Sequence, residues 1–216
     1  MANMNFLDLD SILYIVEGVG ITLKFTISAF ILGIFLAFIL TMMKMSNWKI
    51  LSIFSIFYIS IFRGTPLLVQ LSIFYFSIPG LTGYQISAFE AGIIAFSFNS
   101  AAYVSEILRL GLKSVDKGQY EAAKSLSIPY RLMMVKIIMP QALRISLPAL
   151  ANEFVNLLKE TAIISVIGVP DLMRRAQVIS SEKYIYFEPL LIAAICYYVI
   201  VVIFSSLAKY LEYRLR

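Results

Sequence analysis

Residues 119–140 read QYEAAKSLSIPYRLMMVKIIMP. This stretch lies between long apolar runs, yet its surroundings are basic. From Arg109 to Arg144 there are seven Lys or Arg and two acids, Asp116 and Glu121. Asp116 is a good helix N-cap, and Gln119, three residues on, gives a capping-box-like pair. Ala122, Ala123, Lys124 and Leu126 favour helix. Pro129 ends it, because the residue before a proline disfavours the α region. The spacing predicts a short helix over residues 117–127, with the segment ending at about 128. At ~1.5 Å per residue it is ~16 Å long, too short to cross a bilayer. A helix of this kind between membrane spans suits docking to something outside the membrane. The plainer alternative is a connector resting on headgroups, with Lys117, Lys124 and Arg131 against anionic lipid.

Composition places the rest of the chain in lipid. Of the 216 residues, 60% are hydrophobic and 14% charged, against about 25% charged in soluble domains. Five apolar runs, at about 18–43, 50–78, 87–112, 142–168 and 188–209, each fit the roughly 20 residues a span requires. Backbone groups in lipid must be satisfied within the segment, so the fold class is an all-α membrane protein with five transmembrane helices. No Pro-, Ser- or Gly-rich linker divides residues 1–216, which read as one transmembrane domain. The first residues, MANMNFLDLD, are acidic and do not read as a cleaved signal peptide. With no histidine and one cysteine, the chain lacks the ligands of zinc, haem or iron–sulfur sites and any nucleophile–base pair for catalysis. The net charge of +5 follows the loops rather than a nucleic-acid surface. Twelve Lys or Arg fall in the 44–50 loop, the 109–144 region and the tail after 208; three fall in the other connections. By the positive-inside rule the N-terminus is outside, and the short helix and the C-terminus are cytoplasmic.

Polar groups also gather near the middle of three spans. Arg63 and Thr65 flank Gly64 in the second, Asn99 centres the third, and Asn152, Glu153, Asn156, Lys159 and Glu160 surround the centre of the fourth. A charge facing lipid there costs at least ~2.5–3.5 kcal/mol, so these groups face protein or water. Glu153, Asn156 and Glu160 share one helical face. Arg-Gly-Thr-Pro loosens the second span, because Pro66 removes a donor and frees an upstream carbonyl. Broken helices at this depth commonly line transport sites. Two readings stand. One is an internal ion-pair network of Arg63 and Lys159 with the two acids. The other is a pocket for an amino acid. In the pocket, Arg63 or backbone amides hold the carboxylate, Glu153 or Glu160 the ammonium or a cationic side chain, and Thr65, Asn99 and Asn156 set orientation. Glu106 and Arg109 read as a structural pair, and Lys24 as a side chain snorkelling to the outer interface.

The segment EAAKSLSIPYRLMMVKIIMPQAL resembles the EAA signature of ABC-importer permeases. Its usual form is EAA, three residues, Gly, then an apolar stretch ending in LP. Ser127 stands at the usual Gly, and Met139 precedes Pro140. FRGTPLLVQ (62–70), AAYVSEILRLGLKSVDKGQ (101–119) and ANEFVNLLKETAIISVIGV (151–169) are similar to the polar amino-acid branch of that family. The four motifs stand in order, and the likeness covers about residues 20–210. The resemblance implies type I ABC-importer permease architecture in a bacterial inner membrane. It implies a coupling helix seated in a cytoplasmic ATPase subunit, carried by Glu121, Ala122 and Ala123 with Ser127 as the variant position; Gln119 lies on the same segment. It implies two ATPase copies, a second permease chain (identical or paralogous), and a substrate-binding protein outside. ATP and Mg belong to the ATPase, since no GxxxxGK[ST] loop occurs here. The competing function is an ion-coupled secondary transporter with Glu153 or Glu160 as the ion site.

Overall fold

A computed structural model describes residues 7–215. Residues 1–6, expected outside the membrane, and Arg216 lie beyond the described residues. The chain runs α1 (Leu9–Lys44), α2 (Lys49–Gly64), α3 (Leu67–Thr82), α4 (Ala88–Lys113), α5 (Lys117–Ser125), α6 (Tyr130–Ile167), α7 (Leu172–Lys183) and α8 (Phe187–Leu215). Four of these, α1, α4, α6 and α8, are long and apolar enough to cross a bilayer. The helices α2 and α3 meet at 103°, and taken together as one broken crossing they complete five.

Small residues let α1 and α4 approach closely, and theirs is the most extensive helix contact in the fold. Ala29, Gly33 and Ala37 recur every four residues on α1 and face Ser97, Ser100, Ala101 and Val104 of α4. A Cβ on Gly33 would lie 3.1 Å from the Ser100 side chain. Above this seam Phe25 inserts between Phe89 and Phe96, edge to face at 5.7 and 5.0 Å. The start of α4 is fixed by a capping box between Ser87 and Glu90. At its other end Gly111 almost touches α6: a Cβ there would sit 1.9 Å from Ser146 Oγ and 2.8 Å from the Ala142 carbonyl. Phe30, Phe154 and Phe204 stack in a row that joins α1, α6 and α8. The outward faces stay apolar, as with Ile31 and Phe35 on α1 or Phe54 and Phe57 on α2. That is the surface a bilayer solvates.

Three boundaries differ from the sequence reading. Helix α1 begins at Leu9 rather than near 18. The charges that interrupted its hydropathy are paired: Arg175 holds Glu17 at 2.8 Å and the Tyr14 carbonyl at 2.8 Å, and Lys183 pairs with Asp8. Helix α6 begins at Tyr130 rather than near 142. Pro140 does not stop it, because a π-helical turn, Met134–Ile138, precedes the proline and places it in the first turn of the next segment. The 169–188 connection, read as a loop, contains α7. Asp171 caps α7 by accepting from the Arg174 amide at 2.8 Å. The helix packs between α1 and α8, and a Cβ on Gly18 would lie 2.6 Å from Leu172 Cα. Glu106 bonds Arg109 at 2.7 Å and also pairs with Lys44, so the expected pair is a three-residue cluster. Lys24 Nζ sits 5.9 Å over the Phe89 ring.

Candidate functional site

The break between α2 and α3 is closed by side chains from elsewhere. Pro66 has no N–H for the Phe62 carbonyl four residues back. That carbonyl accepts instead from Asn99 Nδ2 at 3.1 Å and Gln70 Nε2 at 3.0 Å. Gln70 Nε2 also reaches the Thr65 carbonyl at 3.1 Å and Thr65 Oγ1 at 2.9 Å. Gln70 Oε1 accepts from Asn99 Nδ2 at 3.1 Å, which ties α3 to α4. Gln70 and Asn99 are both about 5% exposed, so water does not substitute for either. Thr65 caps α2 and bonds the Ile61 carbonyl at 2.8 Å.

Beside this lock lies an open cleft of about 540 Å³. Helix α4 contributes Asn99 and Tyr103, four residues apart and so on one face. Helix α6 contributes Glu153, Asn156, Lys159 and Glu160, and Ile163 follows where α6 tightens into a 3-10 turn over Thr161–Ile167. The Arg63 guanidinium lies 5.2 Å over the Tyr103 ring and brings a cation to the edge of the same space. Four of the six sequence-predicted pocket residues, Asn99, Glu153, Asn156 and Glu160, therefore line one cavity. Arg63 reaches it through Tyr103, and Thr65 stays in the lock. Among the described residues, none of Arg63, Glu153, Lys159 and Glu160 forms a direct ion pair. The cleft thus presents both signs of charge and two amides to whatever enters it.

A second site forms at the end of the bundle where α4 and α6 nearly touch. Asp116 caps α5 by accepting from the Gly118 amide at 2.6 Å. Gln119 does not close a capping box; its Oε1 instead accepts from Gln141 Nε2 of α6 at 3.4 Å. Of the EAA triplet, Ala123 turns inward against Leu112, Val115, Met133 and Ile138, while Glu121 and Ala122 are exposed. Burial and the neighbouring Tyr130 push the Tyr120 phenol above its ordinary pKa. Ser127 takes a left-handed conformation, φ 54°. Its amide bonds the Lys124 carbonyl at 2.9 Å, and the Ile128 amide bonds the Ala123 carbonyl at 3.0 Å. That pair of bonds is a Schellman motif, and Ser127 occupies the position where glycine is favoured.

Residues 19–216 match the family of binding-protein-dependent transport system inner membrane components. The chain belongs to that family. Relatives agree over nearly the full length. A Rickettsia typhi protein with the provisional name glutamine transport system permease protein GlnP is 52% identical over 94% of this chain and 94% of its own. The arginine transport system permease protein ArtQ of Bacillus subtilis is 46% identical over 94% and 93%. Among solved structures, an amino acid ABC transporter crystallised with histidines superposes with a TM-score of 0.90 at 43% identity, over 96% of this chain and 99% of that one. The inward-facing methionine transporter MetNI superposes at 0.79 with 17% identity, which speaks to the fold alone.

Three side chains of this inner membrane component escaped the sequence reading. Gln70 is a lone polar residue in LLVQLSIF and carries no periodic signal. Tyr103 was findable, four residues from Asn99; Lys159, read there as an ion-pair member, lines the cleft with no direct pair. Gln141 follows Pro140 and looks like a helix start; only the π turn shows why its amide points back to the Ile137 carbonyl, at 2.8 Å.

Proposed function

We propose that this permease is the pore-forming subunit of an ATP-driven importer of a polar amino acid. The observation that carries the reading is the cleft: two carboxylates, Lys159 and the Asn99 and Asn156 side chains line one space beside a broken span, with Arg63 at its edge and no ion pair among them. A free amino acid is complementary to that set. Arg63 or Lys159 suits its carboxylate, and Glu153 or Glu160 suits its ammonium or a cationic side chain. The names of relatives, for arginine and glutamine transport, support a polar amino acid and leave the choice between them open.

Energy enters at α5. The whole chain, 1–216, acts as one transmembrane permease domain, with its coupling helix at about 117–128. Lys and Arg counts support a cytoplasmic α5 and C-terminus with the N-terminus outside, and membership of the inner-membrane-component family supports a bacterial inner membrane. Exposed Glu121, Ala122, Leu126 and Tyr130 form the face offered to a cytoplasmic ATPase. ATP and Mg are held by that partner, present in two copies against two permease chains. A binding protein delivers substrate from outside. When the ATPase pair closes, the two α5 helices are drawn together. Each moves α6 through the Ala123–Met133–Ile138 cluster, and α6 carries most of the cleft. Alternating exposure of the cleft follows.

The test is reconstitution in proteoliposomes with the ATPase subunit and the binding protein, assayed with a panel of labelled amino acids. Import should require ATP and all three components. Glu121→Lys should abolish import while the permease stays inserted, and Glu160→Gln should change which amino acids compete. Import driven by a Na⁺ or H⁺ gradient without the ATPase overturns the reading in favour of a secondary transporter.

A further inference from the structure

We infer that Gln141 is a positioning residue that transmits movement of α5 to the cleft-bearing helix, acting through the π turn of α6. The inference rests on the function proposed above. The π turn, Met134–Ile138, lies directly beneath α5, and Met133 and Ile138 are buried there against Ala123. Such turns hold one residue more than an α-helical turn and occur often at functional sites. Pro140 follows at once and offers no N–H to the carbonyl four residues before it. The ladder between the α5 end and the rest of α6 is therefore weakened at one level. Gln141 braces the adjacent level with a side chain. One Nε2 proton serves the Ile137 carbonyl at 2.8 Å, and the other is directed at Gln119 Oε1 on α5, 3.4 Å away.

This amide is thus a polar link from α5 to the level of α6 where the winding changes from π to α. Apolar contacts such as Ala123 against Met133 resist separation but set no register, since dispersion has little directionality. A donor that is shared between a helix carbonyl and the neighbouring helix does set register. If α5 rotates or slides, Gln141 must either follow Gln119 or release it. In the first case it loosens the Ile137 carbonyl and biases the π turn. The disturbance then passes down α6 towards Glu153, Asn156 and Glu160. The inferred coupling runs through a named element, the π turn, whose two-state behaviour a physical pathway requires and the experiment below tests.

The experiment compares labelled amino acid imported per ATP hydrolysed in proteoliposomes holding the permease, its ATPase subunit and the binding protein. Gln141→Leu keeps the bulk and removes the donors. It should lower that ratio by roughly fivefold or more, with the ATPase still co-purifying. Gln141→Arg keeps donors and should recover most of the loss. Gln119→Ala combined with Gln141→Leu should be no worse than Gln141→Leu alone. An unchanged ratio in Gln141→Leu overturns the inference, as do losses that multiply in the double variant. If Gln141→Leu fails to assemble, the Gln141→Arg and Gln119→Ala ratios decide: a Gln119→Ala value equal to wild type overturns it. Failure of the unaltered permease to capture any ATPase is a distinct result, and it defeats the functional reading itself.

Discussion

Two sharp bends in the chain close by opposite means. At Gly64–Pro66 the backbone is repaired from a distance: Gln70 of α3 and Asn99 of α4 supply the donors that proline removed. After α5 the backbone repairs itself, with two local bonds and a left-handed Ser127. The first bend exists only while α4 is packed beside it. The second survives any movement of its neighbours. That difference suits their places in a transporter. A bend beside the cleft should sense what α4 and α6 do, and, under the proposed function, a bend at the end of α5 should hold its shape while that helix is pushed. The α6–α7 junction resembles the first kind, because Asp171 caps α7 and also accepts from Tyr197 of α8 at 3.3 Å.

Gln70→Ala attacks the distant repair and should have the largest effect. It opens a cavity and leaves the Thr65 carbonyl without its donor, for a loss of about 4 kcal/mol. The thermal midpoint in detergent should fall accordingly. Asn99→Ala breaks the same network, so the double variant should lose at least about 1 kcal/mol less than the sum of the singles. Strict additivity would show that the lock is two unrelated contacts and would remove the contrast between the bends.

Asp171 tests the junction by pH. Burial lifts its carboxyl from 3.8 to about 6, against the pull of the Arg174 and Met173 amides. A carboxyl whose folded pKa is raised keeps its proton more tightly when folded. Its neutral form favours the fold below about pH 4, and stability falls as pH rises through the window to about 6. The fall amounts to at most about 3 kcal/mol, at 1.36 kcal/mol per pKa unit. Asp171→Asn retains the cap acceptor and should flatten that part of the profile. A profile equally steep in the Asn variant would assign the titration elsewhere.

The contrast between the bends also explains what was legible from residues alone. Local chemistry was readable. Pro66 announced a break, and Asp116 and Pro129 bracketed α5; Ser127 stood out only against the family pattern, at its usual Gly. The spacing of Glu153, Asn156 and Glu160 placed them on one face, and the cleft contains all three. What depended on a distant partner was not readable. The start of α1 at Leu9 was not readable, since Glu17 finds its partner Arg175 158 residues away in sequence. Helix α7 looked like a loop because its apolar face, Leu172, Ala176 and Ile179, is matched to α1 and α8 rather than to lipid. Gln70 had no local signature, since its acceptors are created by the break it repairs.

Ser127→Gly tests the locally closed bend and should have the smallest effect, in the opposite direction. A non-glycine residue at φ 54° costs about 1 kcal/mol relative to one without a Cβ. Glycine also gains freedom in the unfolded chain, which offsets part of that relief. The net should be a stabilisation of about 0.5 kcal/mol, read as a small rise in thermal midpoint. Ser127→Val should lower it by more, because a β-branched side chain is a poor fit to the left-handed region. Because the bend closes on itself, both shifts should be the same in an Asn99→Ala background, whereas the Gln70→Ala loss should shrink there. A Ser127→Gly effect that changes with Asn99 would mean that the α5 turn also leans on the bundle. Helix α5 and the cleft would then form one mechanical unit rather than two joined at α6.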